Sequence, residues 1–396
     1  MREQVSARPP APEGAQVVVA GHICLDVIPE LHGALDVRPG GLVVIGPSAV
    51  STGGPVGNVG MALHRLGVSV RLIAKVGEDM FGRELLAFVR GHDPALAAGM
   101  IVAPGETTSY SIIVNPPGVD RTVLHCAGAN DTFGRDDVPL DRLEGARILH
   151  FGYPPIMRRL YSDGGAELAG LFDAAQARGL VVSLDTCVPD PKSPAGQVNW
   201  GAFLAHVLPK VDVFTPSIGE LRAMLRLPAD YPLDLASLRA LARHTLALGP
   251  AVFALKLGDQ GLYLRTAAAG ASLDRLCERL SLRASAWRDR EVLSPCFRAR
   301  RVAGTNGSGD STIAGLLTAF LHGEDAVVAA TSACAVGACS VEEPDASSGV
   351  PKWADVVARQ ASGWARLPIA ETLCRAVAWQ VHECGTMFDP PQADRS

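Results

Sequence analysis

The sequence lacks a dominant charge, a long apolar run and any block of basic residues. Its 396 residues carry a formal net charge of -5 and a pI near 6.1, which leaves no electrostatic footprint for nucleic acid or for a membrane surface. The longest run of small apolar residues, at 326–341, is shorter than a membrane span and contains Thr331, Ser332 and Ser340. These absences favour small-molecule partners.

Cysteine and histidine motifs that bind metals are also missing. Even the closest pair among nine cysteines, Cys334 and Cys339, has neither zinc-knuckle nor redox spacing. No histidines show His-Glu-x-x-His spacing, and we expect His22, His125 and His150 to form local hydrogen bonds. Residues before position 15 combine charge with proline where a signal peptide needs an apolar stretch. We therefore expect reduced thiols and a cytoplasmic location.

The pattern of apolar residues indicates the fold class. Apolar residues make up 48% of the chain and charged residues 19%, so the chain can bury a large core. Short continuous apolar runs are typical of a parallel sheet covered on both faces, and they lie at 17–20, 70–74, 148–151, 180–184, 211–214 and 252–257. Helical patterns such as 166–178 and 234–248 fill the intervals. We predict an α/β doubly wound, mainly parallel sheet with ligands at the carboxyl ends of its strands.

Composition also predicts the boundaries along the chain. Residues 1–15 are rich in proline, alanine and charge, which predicts a disordered tail. One main domain is expected over 16–355, followed by a C-terminal helical appendage over 356–396. Two stretches, 34–51 and 107–124, break the alternation of strands and helices, and the second has the pattern of a hairpin. Together they predict a small β lid.

The most informative segment is a glycine-rich stretch at 304–311 that precedes a helical pattern. Free amides at a glycine-flanked helix start bind anions, and phosphate is the natural occupant. The spacing approaches that of a Walker A loop, but Asp310 stands where that loop needs lysine. A carboxylate there fits a base for an attacking hydroxyl, with the amides of Gly307, Ser308 and Gly309 stabilising the transferred phosphoryl group. The alternative is a glycine-rich turn whose acid only favours the helix dipole.

In this segment and one other, the chain resembles the ribokinase-like (PfkB) carbohydrate kinase family. Residues 304–310, Gly-Thr-Asn-Gly-Ser-Gly-Asp, are similar to the family signature Asp-Thr-x-Gly-Ala-Gly-Asp, and a second signature reads Gly53-Gly54-x3-Asn58. The resemblance covers roughly 16–350 and implies a ribokinase-like three-layer α/β/α fold, with ATP as phosphoryl donor and Asp310 as catalytic base. The first Asp of the signature belongs in many relatives to a monovalent-cation site. Gly304 replaces it here, so potassium activation stays open.

The resemblance also implies where the acceptor binds. Asp26, after the first strand, resembles the family Asp that grips substrate hydroxyls through its two oxygens. Gly53 and Gly54 permit close backbone contact, and Asn58, expected in the first turn of a helix that ends at Gly67, offers a donor and an acceptor. The structural alternatives are a solvated loop carboxylate, a tight turn and a helix-capping asparagine.

The same resemblance implies that a motif at 215–220 binds the nucleotide and its magnesium ion. Glu220 matches a family glutamate that organises Mg²⁺ through water, whereas Ser217 replaces the family asparagine. A hydroxyl can still bond to a water or a phosphate oxygen. The alternative for Glu220 is an ordinary first-turn acid. Asp185 ends a strand and could point into the same cleft.

Further nucleotide contacts are implied on the C-terminal side of the chain. These are Lys256, Gly258, Gly261, Thr305, Ala335 and Gly337. A plain β-turn would also explain the two glycines after the strand, and close helix packing would explain the small residues on the helix.

These observations predict an ATP- and Mg²⁺-dependent kinase that phosphorylates a hydroxyl of a sugar or sugar-like alcohol, and a homodimer formed through the lid. One alternative is an inactive relative that binds a sugar or nucleotide and regulates a partner, which Ser217 and Gly304 suggest. A dinucleotide-dependent oxidoreductase is a second alternative, but the first strand is not followed by Gly-x-Gly-x-x-Gly.

Overall fold

The computed structural model describes residues 14–33, 35, 38–116, 121–228, 230–374 and 379–389. Most of the predicted tail at 1–15 therefore lies outside the described residues. The strands are β1 (Val17–Gly21), β2 (Cys24–Pro29), β3 (Ser48–Gly53), β4 (Val70–Gly77), β5 (Met100–Ala103), β6 (Tyr110–Val114), β7 (Thr122–Cys126), β8 (Ile148–Gly152), β9 (Val181–Leu184), β10 (Val213–Phe214), β11 (Val252–Lys256), β12 (Leu262–Thr266), β13 (Glu291–Ser294), β14 (Gln380–Val381) and β15 (Met387–Asp389). The helices are α1 (Gly54–Leu66), α2 (Met80–His92), α3 (Arg158–Ser162), α4 (Ala166–Ala177), α5 (Trp200–Val207), α6 (Ile218–Met224), α7 (Leu235–Ala247), α8 (Ala271–Leu280), α9 (Ala284–Trp287), α10 (Ser308–Leu321), α11 (Ala326–Ser340), α12 (Trp353–Ala361) and α13 (Glu371–Cys374).

The main sheet has eleven strands in the order β14-β15-β13-β12-β11-β10-β9-β8-β1-β4-β5 among the described residues. The seven strands from β11 to β5 in this order are parallel, and the remaining four are antiparallel. Strand β1 pairs with β4 on one side and β8 on the other, so the strand order reverses at β1. Such a switch point opens a crevice at the carboxyl ends of the strands.

Helices cover both faces of this sheet, because alternate residues of a strand point to opposite faces. In β1, Val17 and Val19 belong to a core shared with α1, α10 and α11, whereas Val18 and Ala20 belong to a second core shared with α4, α5 and α7. All five residues of β1 are buried, which explains its continuous apolar sequence. The result is a three-layer α/β/α architecture. No described helix has the length and apolar composition of a membrane span.

A second, smaller sheet has the order β3-β2-β6-β7. Strands β6 and β7 pair antiparallel, as the hairpin pattern predicts, and β2 joins the sheet by pairing parallel with β6 and antiparallel with β3. Within the predicted lid stretch 34–51, only residues from 48 onward form a strand, and the described residues before them have no regular secondary structure. Strand β2 was not part of the predicted lid.

The predicted C-terminal helical appendage at 356–396 is wrong for most of the described residues. After α12 only the short α13 is helical, and β14 and β15 extend the edge of the main sheet beside β13. Two side-chain contacts hold the intervening segment in extended form: the Trp364 ring lies 4.5 Å from that of Phe297, and the Arg366 guanidinium lies over the same Phe297 ring at 3.5 Å. Pro368 cannot continue a helix.

Candidate active site

Asp310 is the third residue of α10, at the end of the glycine-rich loop. Gly307 caps this helix in a left-handed conformation with φ of 69°. A Cβ at Gly307 would lie 2.3 Å from Cβ of Ala346, so both the backbone angle and the packing require glycine there. The turn directs Asp310 inward, where its side chain is only 5% exposed.

Two neutral side chains hold the Asp310 carboxylate. The amide of Asn58, in α1, donates to Oδ2 at 2.9 Å, and the hydroxyl of Tyr153, just after β8, donates to Oδ1 at 2.5 Å. Burial raises the pKa of Asp310, and Lys256, Tyr153 and Asn58 offset part of that rise. The two family signatures, 252 residues apart in sequence, therefore meet in one hydrogen bond. Asn58 lies in the second turn of α1 rather than the first, because the helix begins at Gly54.

A buried ion pair lies beside this carboxylate. The ammonium of Lys256, at the end of β11, contacts both carboxylate oxygens of Asp185 at 2.9 Å, and Asp185 is fully buried. Burial alone would lower the pKa of Lys256, but Asp185, Glu220 and Asp310 raise it above its ordinary value. Three carboxylates thus surround one ammonium, and the cluster carries a net negative charge when all four groups are ionised.

Ser217 and Glu220 form a capping box at the start of α6. The Ser217 hydroxyl accepts from the Glu220 backbone N–H at 3.2 Å, and the Ser217 N–H donates to Oε2 of Glu220 at 2.8 Å. The same Oε2 accepts from the hydroxyl of Thr186 at 3.0 Å, which follows Asp185 directly. Ser217 therefore acts as a helix cap in this structure, while Glu220 also reaches the cleft beside the ion pair.

The first turn of α10 offers backbone amides next to a cation. The N–H groups of Ser308 and Gly309 lie within a first turn, where helix geometry provides no i−4 carbonyl. The Ser308 N–H makes a long hydrogen bond of 3.4 Å to the Thr305 carbonyl. The ideal Cβ position of Gly309 is 3.6 Å from Nζ of Lys256, so the ammonium lies close to this helix start. Helix-start amides, the helix dipole and an ammonium are groups that attract anions, and the Asp310 carboxylate lies beside them.

Asp26 faces this site from the small sheet and is 4% exposed. Its Oδ1 accepts from the thiol of Cys24 at 3.2 Å, and its Oδ2 accepts from the amide of Asn306 at 3.3 Å. Burial raises the pKa of Asp26, and these donors offset part of the rise. A Cβ on Gly53 would lie 2.4 Å from Asp26 Oδ1. Gly53 therefore makes room for the Asp26 carboxylate.

His22 lies between β1 and β2 and is 2% exposed. Neither of its ring nitrogens has a hydrogen-bond partner among the described residues, so the expectation of a local hydrogen bond at His22 is wrong. The expectation holds for the other two histidines, because Nδ1 of His125 bonds Ser111 at 3.1 Å and Nδ1 of His150 bonds Ser183 at 3.0 Å.

Ligand atoms of His22, Cys24 and His125 lie within 4.8 Å of one another, a spacing a metal ion could use. Burial and the Asp26 carboxylate raise the pKa of the Cys24 thiol well above its ordinary value. The thiol donates its proton to Asp26. The protonated form that this arrangement favours is not a good metal ligand.

Of the other residues expected to bind the nucleotide, some are packed against protein atoms and some are open. Gly258 begins the turn after β11 with φ of 64° and open space at its Cβ position, whereas a Cβ on Gly261 would lie 2.0 Å from the Ser294 carbonyl. Ala335 is fully buried in α11, and a Cβ on Gly337 would lie 2.4 Å from the Thr312 hydroxyl of α10. The observed contacts of Gly261, Ala335 and Gly337 are thus packing contacts, and Gly258 remains open to a ligand. Thr305 is exposed and accepts a hydrogen bond from Arg121 at 3.0 Å.

The position of the replaced signature residue, Gly304, is crowded. A Cβ there would lie 2.9 Å from the Pro344 carbonyl oxygen. Any side chain, including the family aspartate, would have to displace this backbone.

Sequence reasoning missed Tyr153, Asn306 and the Lys256–Asp185 pair. Tyr153 directly follows β8 at the carboxyl edge of the sheet, so the rule that ligands bind at this edge would have identified it. Asn306 lies inside the glycine-rich signature at a variable position. Lys256 and Asp185 were both expected near the cleft, but no sequence signal indicated that they form an ion pair.

Known proteins share sequence similarity with most of this chain. A model of the family described as pfkB family carbohydrate kinase matches residues 15–353. An uncharacterized sugar kinase of Archaeoglobus fulgidus is 26% identical over 74% of this chain and all of its own length. A nucleoside kinase of Methanothermobacter thermautotrophicus is 22% identical over 90% of this chain and 99% of its own. A 2-dehydro-3-deoxygluconokinase of Bacillus subtilis is 25% identical over 79% and 87%, respectively.

Solved structures show the same fold. Ribokinase of Arabidopsis thaliana, in complex with ribose and ATP, superposes with a TM-score of 0.66 at 18% identity, covering 87% of this chain and 98% of its own. A ribokinase II from E. coli, in complex with ATP and Mg²⁺, gives a TM-score of 0.63 at 20% identity with the same coverage. The predicted ribokinase-like α/β/α fold is confirmed.

Proposed function

The chain belongs to the pfkB family of carbohydrate kinases, and from this premise we propose that it transfers the γ-phosphoryl group of ATP to a hydroxyl of a sugar or sugar-like alcohol, with Asp310 as general base. One observation carries the proposal: a buried carboxylate at a glycine-flanked helix start is held by Asn58 and Tyr153 beside the Lys256 ammonium. This juxtaposes a proton acceptor with an anion site, which phosphoryl transfer to an alcohol needs.

In the proposed reaction the acceptor oxygen attacks the γ-phosphorus, the bond to the ADP oxygen breaks, and the acceptor proton passes to Asp310. Each carboxylate oxygen has two lone-pair sites, so Asn58 and Tyr153 leave positions for the acceptor hydroxyl. The raised pKa of Asp310 makes it a better base than a solvated aspartate. Amides of Gly307, Ser308 and Gly309, with Lys256, would stabilise charge on the migrating group.

We propose that Mg²⁺ accompanies the nucleotide, with Glu220 holding it through water near Asp185. The arrangement fits a divalent cation because the surrounding carboxylates outnumber the single ammonium. When bound, the ion would neutralise phosphate charge. Potassium is not part of the proposal, because Gly304 has no carboxylate and a Cβ there would lie 2.9 Å from the Pro344 carbonyl oxygen. The turn at Gly258 and the exposed Thr305 are the further residues proposed to contact the nucleotide.

On the acceptor side we propose that Asp26, Asn306 and the backbone at Gly53 and Gly54 hold the sugar. The small sheet would then act as a lid, because Asn306 and Asp26 bring the loop before α10 against β2. A closed lid would exclude water, which otherwise competes as acceptor. The relatives named above act on different acceptors, so family membership alone leaves the acceptor class open.

We also propose that two copies associate through this sheet and the irregular segment before β3. Leu42 is 89% exposed and Val44 79%, with Val50, Val123 and Leu124 about half exposed. Exposed apolar side chains favour burial against a partner, and a second copy offers the same side chains. Sedimentation velocity should give twice the chain mass of 41.5 kDa, and Leu42→Asp with Val44→Asp should give the monomer. A monomeric wild type would contradict this.

The test of function is ADP release from MgATP over a panel of neutral sugars, sugar acids and nucleosides, run with the wild type and Asp310→Asn. The kinase proposal expects at least one acceptor to give ADP and phosphorylated product in equal amounts. Binding of a sugar by calorimetry without ADP from any acceptor would instead support a regulatory binding protein.

A further inference from the structure

The strongest unexplained feature of the cleft is the His22 side chain. It is 2% exposed, and both ring nitrogens lack a hydrogen-bond partner among the described residues. Buried polar atoms are nearly always paired, and leaving them unpaired is costly. The surroundings restrict His22. Its backbone N–H donates to Gly152 and its carbonyl accepts from Val56. A Cβ on Gly54 would lie 2.2 Å from Nδ1 of the ring.

His22 also contacts a neighbour of each carboxylate of the proposed site. Its ring stacks on Tyr153, with centroids 6.0 Å apart, and Tyr153 donates to Asp310. The His125 ring is 5.1 Å from that of His22, and its Nδ1 bonds Ser111 on the small sheet. Ser111 is the strand partner of Asp26. A chain of contacts through Tyr153, His22, His125 and Ser111 therefore links Asp310 to Asp26.

Burial, together with His125, holds the pKa of His22 well below its ordinary value. A neutral imidazole has one donor nitrogen and one acceptor nitrogen. A hydroxyl can satisfy either one, whereas a carboxylate or a fully ionised phosphate can only accept. The groups that hydrogen-bond Asp26 and Asp310 are likewise neutral: Cys24, Asn306, Asn58 and Tyr153.

We propose that His22 binds an uncharged hydroxyl of the acceptor, and that the acceptor is a neutral polyol or sugar that carries no carboxylate or phosphate. This inference rests on the proposed kinase function and specifies its substrate class. An anionic group beside Asp26 and Asp310 would meet two buried carboxylates, and like charges at close range are unfavourable.

The wild-type enzyme provides the first test, using MgATP with three neutral probes, D-fructose, D-ribose and adenosine, and three anionic probes, D-gluconate, 2-dehydro-3-deoxy-D-gluconate and ribose 1-phosphate. We expect the best neutral probe to exceed the best anionic probe in kcat/KM by about 100-fold or more. A preferred anionic probe would overturn the inference while leaving the kinase function intact. Absence of ADP from every probe would overturn both.

Variants of His22 provide the second test. His22→Leu removes both nitrogens at similar volume, and we expect KM for the preferred acceptor to rise about 2- to 13-fold, from the usual strength of one neutral hydrogen bond, with KM for ATP left unchanged. His22→Gln keeps a donor and an acceptor and should recover part of the loss. The matched control is His206→Leu, at an exposed position of α5, which should leave both KM values unchanged.

A purely structural role for His22 predicts a different pattern. Because its nitrogens are unpaired, His22→Leu should melt no lower than the wild type, whereas a structural histidine would melt lower and its loss would not alter KM selectively. An unchanged acceptor KM in His22→Leu and His22→Gln would overturn the proposal. So would one equivalent of zinc in the purified wild type that is lost in His22→Gln, since the partner of the ring would then be a metal.

Discussion

Replacement of Tyr153 by phenylalanine tests how the base is tuned. The substitution removes the hydroxyl that donates to Oδ1 of Asp310 and leaves the ring. A hydrogen bond to a charged group is worth about 1.5–3 kcal/mol, and about 1.36 kcal/mol corresponds to one pKa unit. The carboxylate loses this stabilisation while its protonated form loses less. The pKa of Asp310, already raised by burial, should therefore rise by a further ~1–2 units.

The sign of the kinetic effect follows from the role of the base. Asp310 must be ionised to accept a proton, so kcat/KM for the acceptor should fall as the pH drops through the pKa of Asp310. In Tyr153→Phe this acidic limb of the pH profile of kcat/KM should move to higher pH by ~1–2 units. Above that pH, the kcat/KM values of the two enzymes should converge. The assay is ADP release coupled to NADH oxidation between pH 5 and pH 9, with MgATP saturating.

The matched control is Tyr161→Phe, which deletes the same atom from a buried tyrosine that packs against Trp200 rather than Asp310. This control should leave the limb in place. An unmoved limb in Tyr153→Phe, or an equal shift in both variants, would refute the view that Tyr153 sets the basicity of Asp310.

Three further outcomes follow from the site. The folded-state pKa of Asp310 lies above its ordinary value of 3.8, so its charge opposes folding above that range. Asp310→Asn should therefore raise the melting temperature at pH 7 by on the order of 2 °C, and the gain should shrink as the pH is lowered toward 4, measured by calorimetry; no gain at pH 7 would contradict the burial argument. Lys256→Met leaves Asp185 buried without its partner and should lower the free energy of unfolding by about 3–5 kcal/mol in a denaturant titration, and adding Asp185→Leu should restore much of it; an additive double mutant would show that the pair does not interact. Replacing potassium by sodium or choline should not change kcat, because Gly304 offers no carboxylate, and a potassium-dependent rate would place the cation site elsewhere.

Much of the fold could be predicted because the residues that determine each strand and helix end are neighbours in the sequence. Strands such as β1 and β8 are buried on both faces, so their sequences are continuous apolar runs that no surface element would carry. Gly67 ends α1 with φ of 92°, the conformation that makes glycine a signal of helix termination. The glycine-rich loop at 304–310 was recognisable for a similar reason, since Gly307 needs a positive φ.

The remainder depended on contacts between distant residues. The segment around Trp364 has an apolar pattern that suits a helix, but the Trp364 ring packs on Phe297 instead. Edge strands as short as β14 carry no periodic signal. In the site, the unpaired nitrogens of His22 and the Lys256–Asp185 contact depend on how several elements converge. Residue type and spacing cannot encode such convergence.

The most direct measurement of the central claim is the turnover number of Asp310→Asn with the best acceptor, taken together with its affinity for ATP. The account predicts that kcat falls by about 10²–10⁴ while the Kd for MgATP stays within about threefold of the wild type, because only the proton acceptor is lost. A variant that keeps more than a tenth of the wild-type turnover would show that Asp310 is not the base.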